Sequence, residues 1–186
     1  MEITDKLIIG ITGLIGSGKS QVADYLAKKL DCPRYAFSDT LRHFLDELNL
    51  PQNRPNLDTL SLSLRTTFGD DILITALLKK IYNNPNQIII LEGIRRHPDI
   101  DSFQNHRNFH LLAVDCDERT RWQRLRKRGQ NSDDASKSFR AFLADQKSEA
   151  NSHIKEVMAK AKIKIVNNSS LDALYSQLDQ LNFSVH

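Results

Sequence analysis

The sequence predicts an α/β fold of three layers, a five-stranded parallel sheet between two layers of helices. Three observations predict it. Short apolar, β-branched runs alternate with segments of helical periodicity, the pattern of βαβ units. The first run leads straight into Gly13-Leu-Ile-Gly-Ser-Gly-Lys-Ser20, a full match to the phosphate-loop pattern G-x-x-x-x-G-K-[ST]. A helical pattern starts where that loop ends, so its N-terminal dipole adds to an anion site.

The elements follow in order. The first strand spans about residues 7 to 12, inside Lys-Leu-Ile-Ile-Gly-Ile-Thr. Val22, Leu26 and Leu30 then recur at helical spacing. A weaker second strand is expected at 34 to 37. A helical stretch from Asp39 to Leu48 breaks at Pro51 to Pro55, then resumes from Leu57 to Tyr82 with an interruption near Gly69. This insertion, about 39–82, is large enough for a small subdomain. Ile88-Ile-Ile-Leu91 marks the third and clearest strand, at 87 to 91. The fourth is expected at 109 to 114 and the fifth at 162 to 166. Between them lie an arginine-rich helix and a polar loop from Gly129 to Ser138, read as a short lid. Ser169 or Ser170 is expected to cap the final helix. Parallel connections imply right-handed crossovers.

The 186 residues fit a single domain, 1–186. Apolar content of 40% and charged content of 26% are those of a soluble globular protein, and no apolar run reaches membrane-span length. The stretch from Leu7 to Ile15 is better explained by the phosphate loop than as a signal-peptide core. A net charge of +3 makes no case for a nucleic-acid partner. Cys32 and Cys116 lie far apart and read as buried thiols in a reducing, cytoplasmic setting. The six histidines show no metal-ligand spacing. A monomer or homodimer is expected.

The candidate chemistry gathers at strand ends. Loop residues Gly13, Ile15, Gly16, Ser17 and Gly18 would wrap a polyphosphate with backbone N–H groups. Lys19 would reach the β- and γ-phosphates of ATP, and the Ser20 hydroxyl would ligate Mg²⁺. After the second strand, Ser38 or Asp39 could cap a helix, and Asp39 could pair with Arg42 or face a ligand. After the third come Glu92, in the position of a Walker-B-like acid, and Arg95 and Arg96, able to clamp an anion. Arg65 reads as a solvated helix residue by default. Arg121, Arg124 and Arg128 share a helical face leading into the lid, where they could close over transferring phosphates or bind nucleic acid. Asp145 and Glu149 read as surface or salt-bridge acids, and Trp122 as core or a lid-hinge residue. Asn167 lies on a loop that would border the nucleotide base.

Together these features resemble the nucleoside monophosphate kinase branch of P-loop kinases over most of the chain. The phosphate loop is similar to those of adenylate kinases and dephospho-coenzyme A kinases. Asp39-Thr-Leu-Arg42 is similar to the D-x-L-R stretch of adenylate kinases, which implies that Arg42 holds an acceptor phosphate. Glu92-Gly-Ile-Arg-Arg96 resembles both their D-G-x-x-R turn and the D-G-I-R turn of an uncharacterised family related to dephospho-coenzyme A kinase. The first alignment selects Arg96 and the second Arg95. Leu64-Arg-x-x-Phe-Gly69 and the phenylalanine-rich helix near 139 to 149 also resemble that second family, although Ala144 stands where it carries an arginine.

The resemblance implies a P-loop NTPase fold and an ATP-dependent phosphotransferase using Mg²⁺. Its acceptor would be small and nucleotide-like: a nucleoside monophosphate first, dephospho-coenzyme A second. Lys19, Arg124 and Arg128 would serve catalysis, with Asp39 as base for a hydroxyl acceptor. Arg121 and Asn167 would lie against ATP. Arg42, Arg65, Glu92, Arg95 and Arg96 would lie against the acceptor. The alternative from another class is a P-loop ATPase that assembles on RNA through its arginine helix. The lack of an Asn-Lys-x-Asp stretch disfavours a GTPase switch.

Overall fold

The computed structural model describes residues 5–129, 133–146 and 153–183. Its five parallel strands are β1 (Leu7–Thr12), β2 (Arg34–Ala36), β3 (Ile88–Ile94), β4 (Phe109–Asp115) and β5 (Ile163–Val166), in the spatial order β2-β3-β1-β4-β5. The helices are α1 (Lys19–Lys29), α2 (Phe37–Glu47), α3 (Arg54–Phe68), α4 (Ile72–Tyr82), α5 (His97–Asp101), α6 (Glu118–Arg128), α7 (Phe139–Asp145), α8 (Ile154–Lys160) and α9 (Leu171–Asp179).

Every residue of β1 is buried, as expected of a central strand covered on both faces. Its alternation sorts the core into two layers. Leu7, Ile9 and Ile11 pack with Val22 and Leu26 of α1 and Leu174 and Leu178 of α9. Ile8 faces the opposite way, toward Leu41 of α2, Leu57 of α3, Ile74 of α4 and Val157 of α8. A third, small cluster joins Ile15 of the glycine-rich loop to Leu125 and Phe142, flanked by Trp122 and Phe139.

Two of the boundaries that differ from the sequence reading shape the site. The third strand does not stop at Leu91. Ile11 pairs with Glu92 and the next residue, Thr12, pairs with Ile94, so Gly93 (φ 92°) forms a bulge inside a continuing strand. The Thr12 hydroxyl donates to the Ile94 carbonyl at 2.8 Å and secures the extension. Glu92 therefore lies within β3 and shares the parity of Ile90, which packs on the α1 side. The second helix starts at Phe37, earlier than expected. Ala36, still extended, is its N-cap, so neither Ser38 nor Asp39 caps it. Burial of Phe37 in the core sets this early start.

Other signals act as read. The Ser170 hydroxyl accepts from the Ala173 N–H at 3.2 Å and caps α9. Gly69 (φ 105°) ends α3. Glu149 and residues 130–132 of the expected lid lie outside the described residues. No helix among the described residues is long and apolar enough to cross a membrane.

Candidate active site

A cavity of about 350 Å³ opens where the carboxyl ends of the strands meet, the usual ligand crevice of such sheets. Its floor is the loop after β1. Glycine is required there on two counts. At Gly16 (φ 77°) a Cβ would lie 2.5 Å from the Arg121 carbonyl oxygen, and at Gly18 (φ 97°) it would lie 2.2 Å from the Asn167 amide nitrogen. The second approach is a designed contact: Asn167 Nδ2 donates to the Ser17 carbonyl at 2.9 Å, from the loop after β5. Asn167 thus braces the phosphate loop as well as lining the cavity.

Arg121 is placed differently from the sequence expectation. It is 1% exposed, behind the loop, and does not line the cavity. Its guanidinium donates to Ile15 O (3.2 Å), Cys116 O (3.0 Å) and Gln146 Oε1 (2.7 Å) and stacks on Phe142. The helix face was read correctly, but its first arginine supports the loop from beneath. The next two, Arg124 and Arg128, do reach the cavity. Arg124 donates to Asn167 O at 2.7 Å, and Arg128 meets Asp134 at 3.4 Å. Trp122 donates to the Lys137 carbonyl at 2.9 Å, tying α6 to the segment before α7.

The parity of Glu92 aims its carboxylate at the start of α1. Ser20 Oγ donates to Glu92 Oε1 at 2.7 Å, and Arg34 Nε lies 3.1 Å from Oε2. A hydroxyl and a carboxylate are hard oxygen donors that fit Mg²⁺. Lys19 Nζ donates to the Leu14 carbonyl at 3.0 Å. Burial, with Arg95 the next cause and Arg128 and Arg54 adding to it, pulls the Lys19 ammonium down to about 7 against the opposing pull of Glu92. Burial, then the neighbouring Arg54, likewise pulls Arg95 down to about 9. Each cation destabilises the next in the absence of an anion.

Arg42, Arg54 and Arg95 line the same cavity as the loop. Arg42 donates to Gln52 Oε1 at 3.2 Å, and Arg54 meets Asp58 at 2.8 Å. Arg65 and Arg96 line a smaller adjoining hollow of about 70 Å³ instead. Arg65 donates to Asp99 (3.1 Å) and to the Asp70 carbonyl, and Arg96 meets Asp70 at 3.5 Å. Asp99 accepts from the backbone N–H groups of Arg95 and Arg96, both at 3.1 Å, which fixes the turn that carries Arg95 to the cavity. Asp39 is exposed, 3.8 Å from Arg34, and does not line the cavity.

Arg34 and Arg54 are lining residues that sequence reasoning passed over. Arg34 was counted only as the start of a strand. Arg54 sat inside a proline break, although Asn53 before Pro55 is a helix-start signal: the Asn53 side chain caps α3 and Arg54 is its first residue. Among the described residues, Glu92 is the one carboxylate lining the cavity, against Lys19, Arg34, Arg42, Arg54, Arg95, Arg124 and Arg128. Such a wall selects a polyanion.

Residues 9–169 match the family model described as AAA domain. The chain is 32% identical over 177 residues to a UPF0200 protein of Methanocaldococcus jannaschii, covering 94% of this chain and 88% of that one. It is 31% identical over 169 residues to a UPF0200 protein of Pyrococcus abyssi, covering 88% and 89%. In three dimensions it is similar to shikimate kinase from Bacteroides thetaiotaomicron, with a TM-score of 0.56, 14% identity and coverage of 94% and 95%. At that identity the likeness shows the fold, a P-loop kinase-like arrangement, and nothing of the substrate.

Proposed function

This chain belongs to the AAA-domain family and to the UPF0200 proteins, and on that premise we propose that it is an ATP-dependent phosphotransferase acting on a small phosphorylated acceptor, a nucleoside monophosphate first. One observation carries this reading: the phosphate loop and Arg42, Arg54 and Arg95 line one and the same cavity. The first suits a donor polyphosphate and the second an acceptor that is already anionic. An uncharged hydroxyl acceptor would call for a carboxylate base instead. Asp39 stands outside the cavity, and Glu92 is engaged by Ser20 and Arg34.

In this reading Lys19 and the loop amides hold the β- and γ-phosphates. Ser20 and Glu92 hold Mg²⁺, directly or through water, and the ion supplies charge neutralisation between the phosphates. Arg124 and Arg128 stabilise the charge on the moving phosphoryl group, while Arg42, Arg54 and Arg95 orient the acceptor. Positioning and electrostatics account for the rate enhancement.

Coupled ADP release with ATP and Mg²⁺ tests this across AMP, CMP, UMP, GMP, dTMP and dephospho-coenzyme A. Turnover with a monophosphate, retained in Asp39→Asn, is the expected result. Dependence on dephospho-coenzyme A with loss of turnover in Asp39→Asn would replace the monophosphate by a hydroxyl acceptor. Acceptor-independent release with salt-sensitive RNA binding would overturn the kinase reading.

The depressed Lys19 makes a second expectation. Phosphate oxygens favour its charged form, so the complex holds that proton to higher pH than the empty protein, whose Lys19 titrates near 7. ATP affinity is level below about pH 7 and declines as the pH rises above it. Calorimetry at about pH 8 in two buffers of different ionisation enthalpy should show uptake of close to one proton per ATP. The same uptake in Lys19→Ala would assign the proton elsewhere.

A further inference from the structure

Away from the cavity, the structure brings together two histidines that sequence reading treated as ordinary. His97 opens α5, immediately after the Arg95–Arg96 turn. His153 and Glu156 sit one turn apart at the start of α8. His97 Nε2 lies 2.6 Å from Glu156 Oε2, and His153 Nδ1 lies 3.6 Å from the same oxygen. One ligand atom from each residue falls within 4.8 Å of the others. Two ring nitrogens and a carboxylate oxygen each about 2 Å from one ion would stand about 3.3 Å apart in a tetrahedral site. The two spacings to Glu156 bracket that value, and all three atoms lie within 4.8 Å of one another.

His153 Nδ1 supplies a second observation. The atom is shielded from solvent and makes no hydrogen bond among the described residues, while facing Glu156 at the distance above. A shielded ring nitrogen without a proton partner is what a metal ligand looks like before its ion arrives. The exposed Glu156 carboxylate thus presents one oxygen to both rings.

We propose that His97, His153 and Glu156 form a binding site for a borderline divalent cation, Zn²⁺ foremost, with water in the fourth position. Two nitrogens and one oxygen suit zinc, cobalt or nickel better than Mg²⁺, which prefers an all-oxygen shell. The site is separate from the Ser20–Glu92 pair. Its effect would be mechanical: it bolts α8 to α5, the helix that continues the turn bearing Arg95. Lys160 is the group that opposes it. Its ammonium lies 3.0 Å from His97 Nδ1, which fits the tautomer carrying its proton on Nε2. Metal binding through Nε2 needs the other tautomer, so this exposed lysine must swing away.

Calorimetry of the full chain with ZnCl₂ alone, without nucleotide, tests the site, and Co²⁺ absorption provides a second readout. The expected result is one equivalent of Zn²⁺ bound, a raised thermal midpoint, and visible Co²⁺ bands of a low-symmetry site. His97→Ala and His153→Ala should each weaken binding by more than roughly 100-fold, beyond the usual effect of losing an outer-shell partner. Lys160→Ala should tighten it several-fold. The side chains replaced are half-buried or exposed, and circular dichroism checks the fold of each variant. No stoichiometric binding to the wild-type protein, or binding that persists in the His97→Ala/His153→Ala double variant, would overturn the proposal and leave these residues as an ion pair between two helices.

Discussion

Replacing Lys19 by alanine is expected to weaken ATP binding on the order of 100-fold or more while leaving the empty protein at least as stable. The two halves of this result have one origin. Lys19 sits deep among Arg95, Arg128 and Arg54, where burial and those charges disfavour its ammonium. In the empty protein it returns little beyond its bond to the Leu14 carbonyl. A polyphosphate reverses the balance, because each charge-assisted hydrogen bond from the ammonium is worth about 1.5–3 kcal/mol. Two such bonds correspond to an affinity loss on the order of 100-fold or more on truncation. Isothermal titration with ATP and a thermal melt of the empty variant read the two halves separately. Unchanged ATP affinity would sink the assignment of the loop as the donor site. Reduced affinity with a collapsed melting temperature would show only that the loop needs Lys19 to fold.

The second large effect concerns a residue that touches neither ligand. Arg121→Met keeps an unbranched apolar stem, is shorter by the guanidinium end, and removes the donors to Ile15 O, Cys116 O and Gln146 Oε1. Each buried acceptor left bare costs on the order of 1 kcal/mol, so unfolding free energy should fall by about 2–4 kcal/mol. Because the Ile15 carbonyl belongs to the phosphate loop, ATP affinity should fall as well, by about tenfold, an indirect effect smaller than that of Lys19→Ala. Urea titration monitored by circular dichroism measures the first quantity. A change within about 0.5 kcal/mol would mean that water replaces the guanidinium and that the loop is held by its other anchors, Asn167 among them.

The contrast between these two positively charged residues shows what the sequence disclosed and what it withheld. Gly13 to Ser20 disclosed its own conformation and the strand and helix around it, because each required residue type acts locally. The arginines of α6 disclosed their shared face through helical spacing. That spacing cannot tell which end of the face runs beneath the loop and which reaches the cavity, and so Arg121 was misplaced. Gly93 was read as the turn after a strand. It is a bulge, visible only once Thr12 and Ile94 are paired across 82 residues. Arg54 is hidden in a proline break, and His97 is separated from His153 and Glu156 by one strand, β4, and two helices, α6 and α7. In each case the missing information is a contact between distant segments, which residue spacing along the chain does not carry.

In the empty protein the crowded cationic wall of the cavity would behave as an ion-exchange resin. Burial and cationic neighbours disfavour the charged Lys19 and Arg95, and nearby acids such as Glu92 offset this only in part, so the wall would draw small anions from the medium. In the kinase reading, nucleotide would then enter by exchange with those anions. An affinity measured in phosphate buffer would be a competition constant.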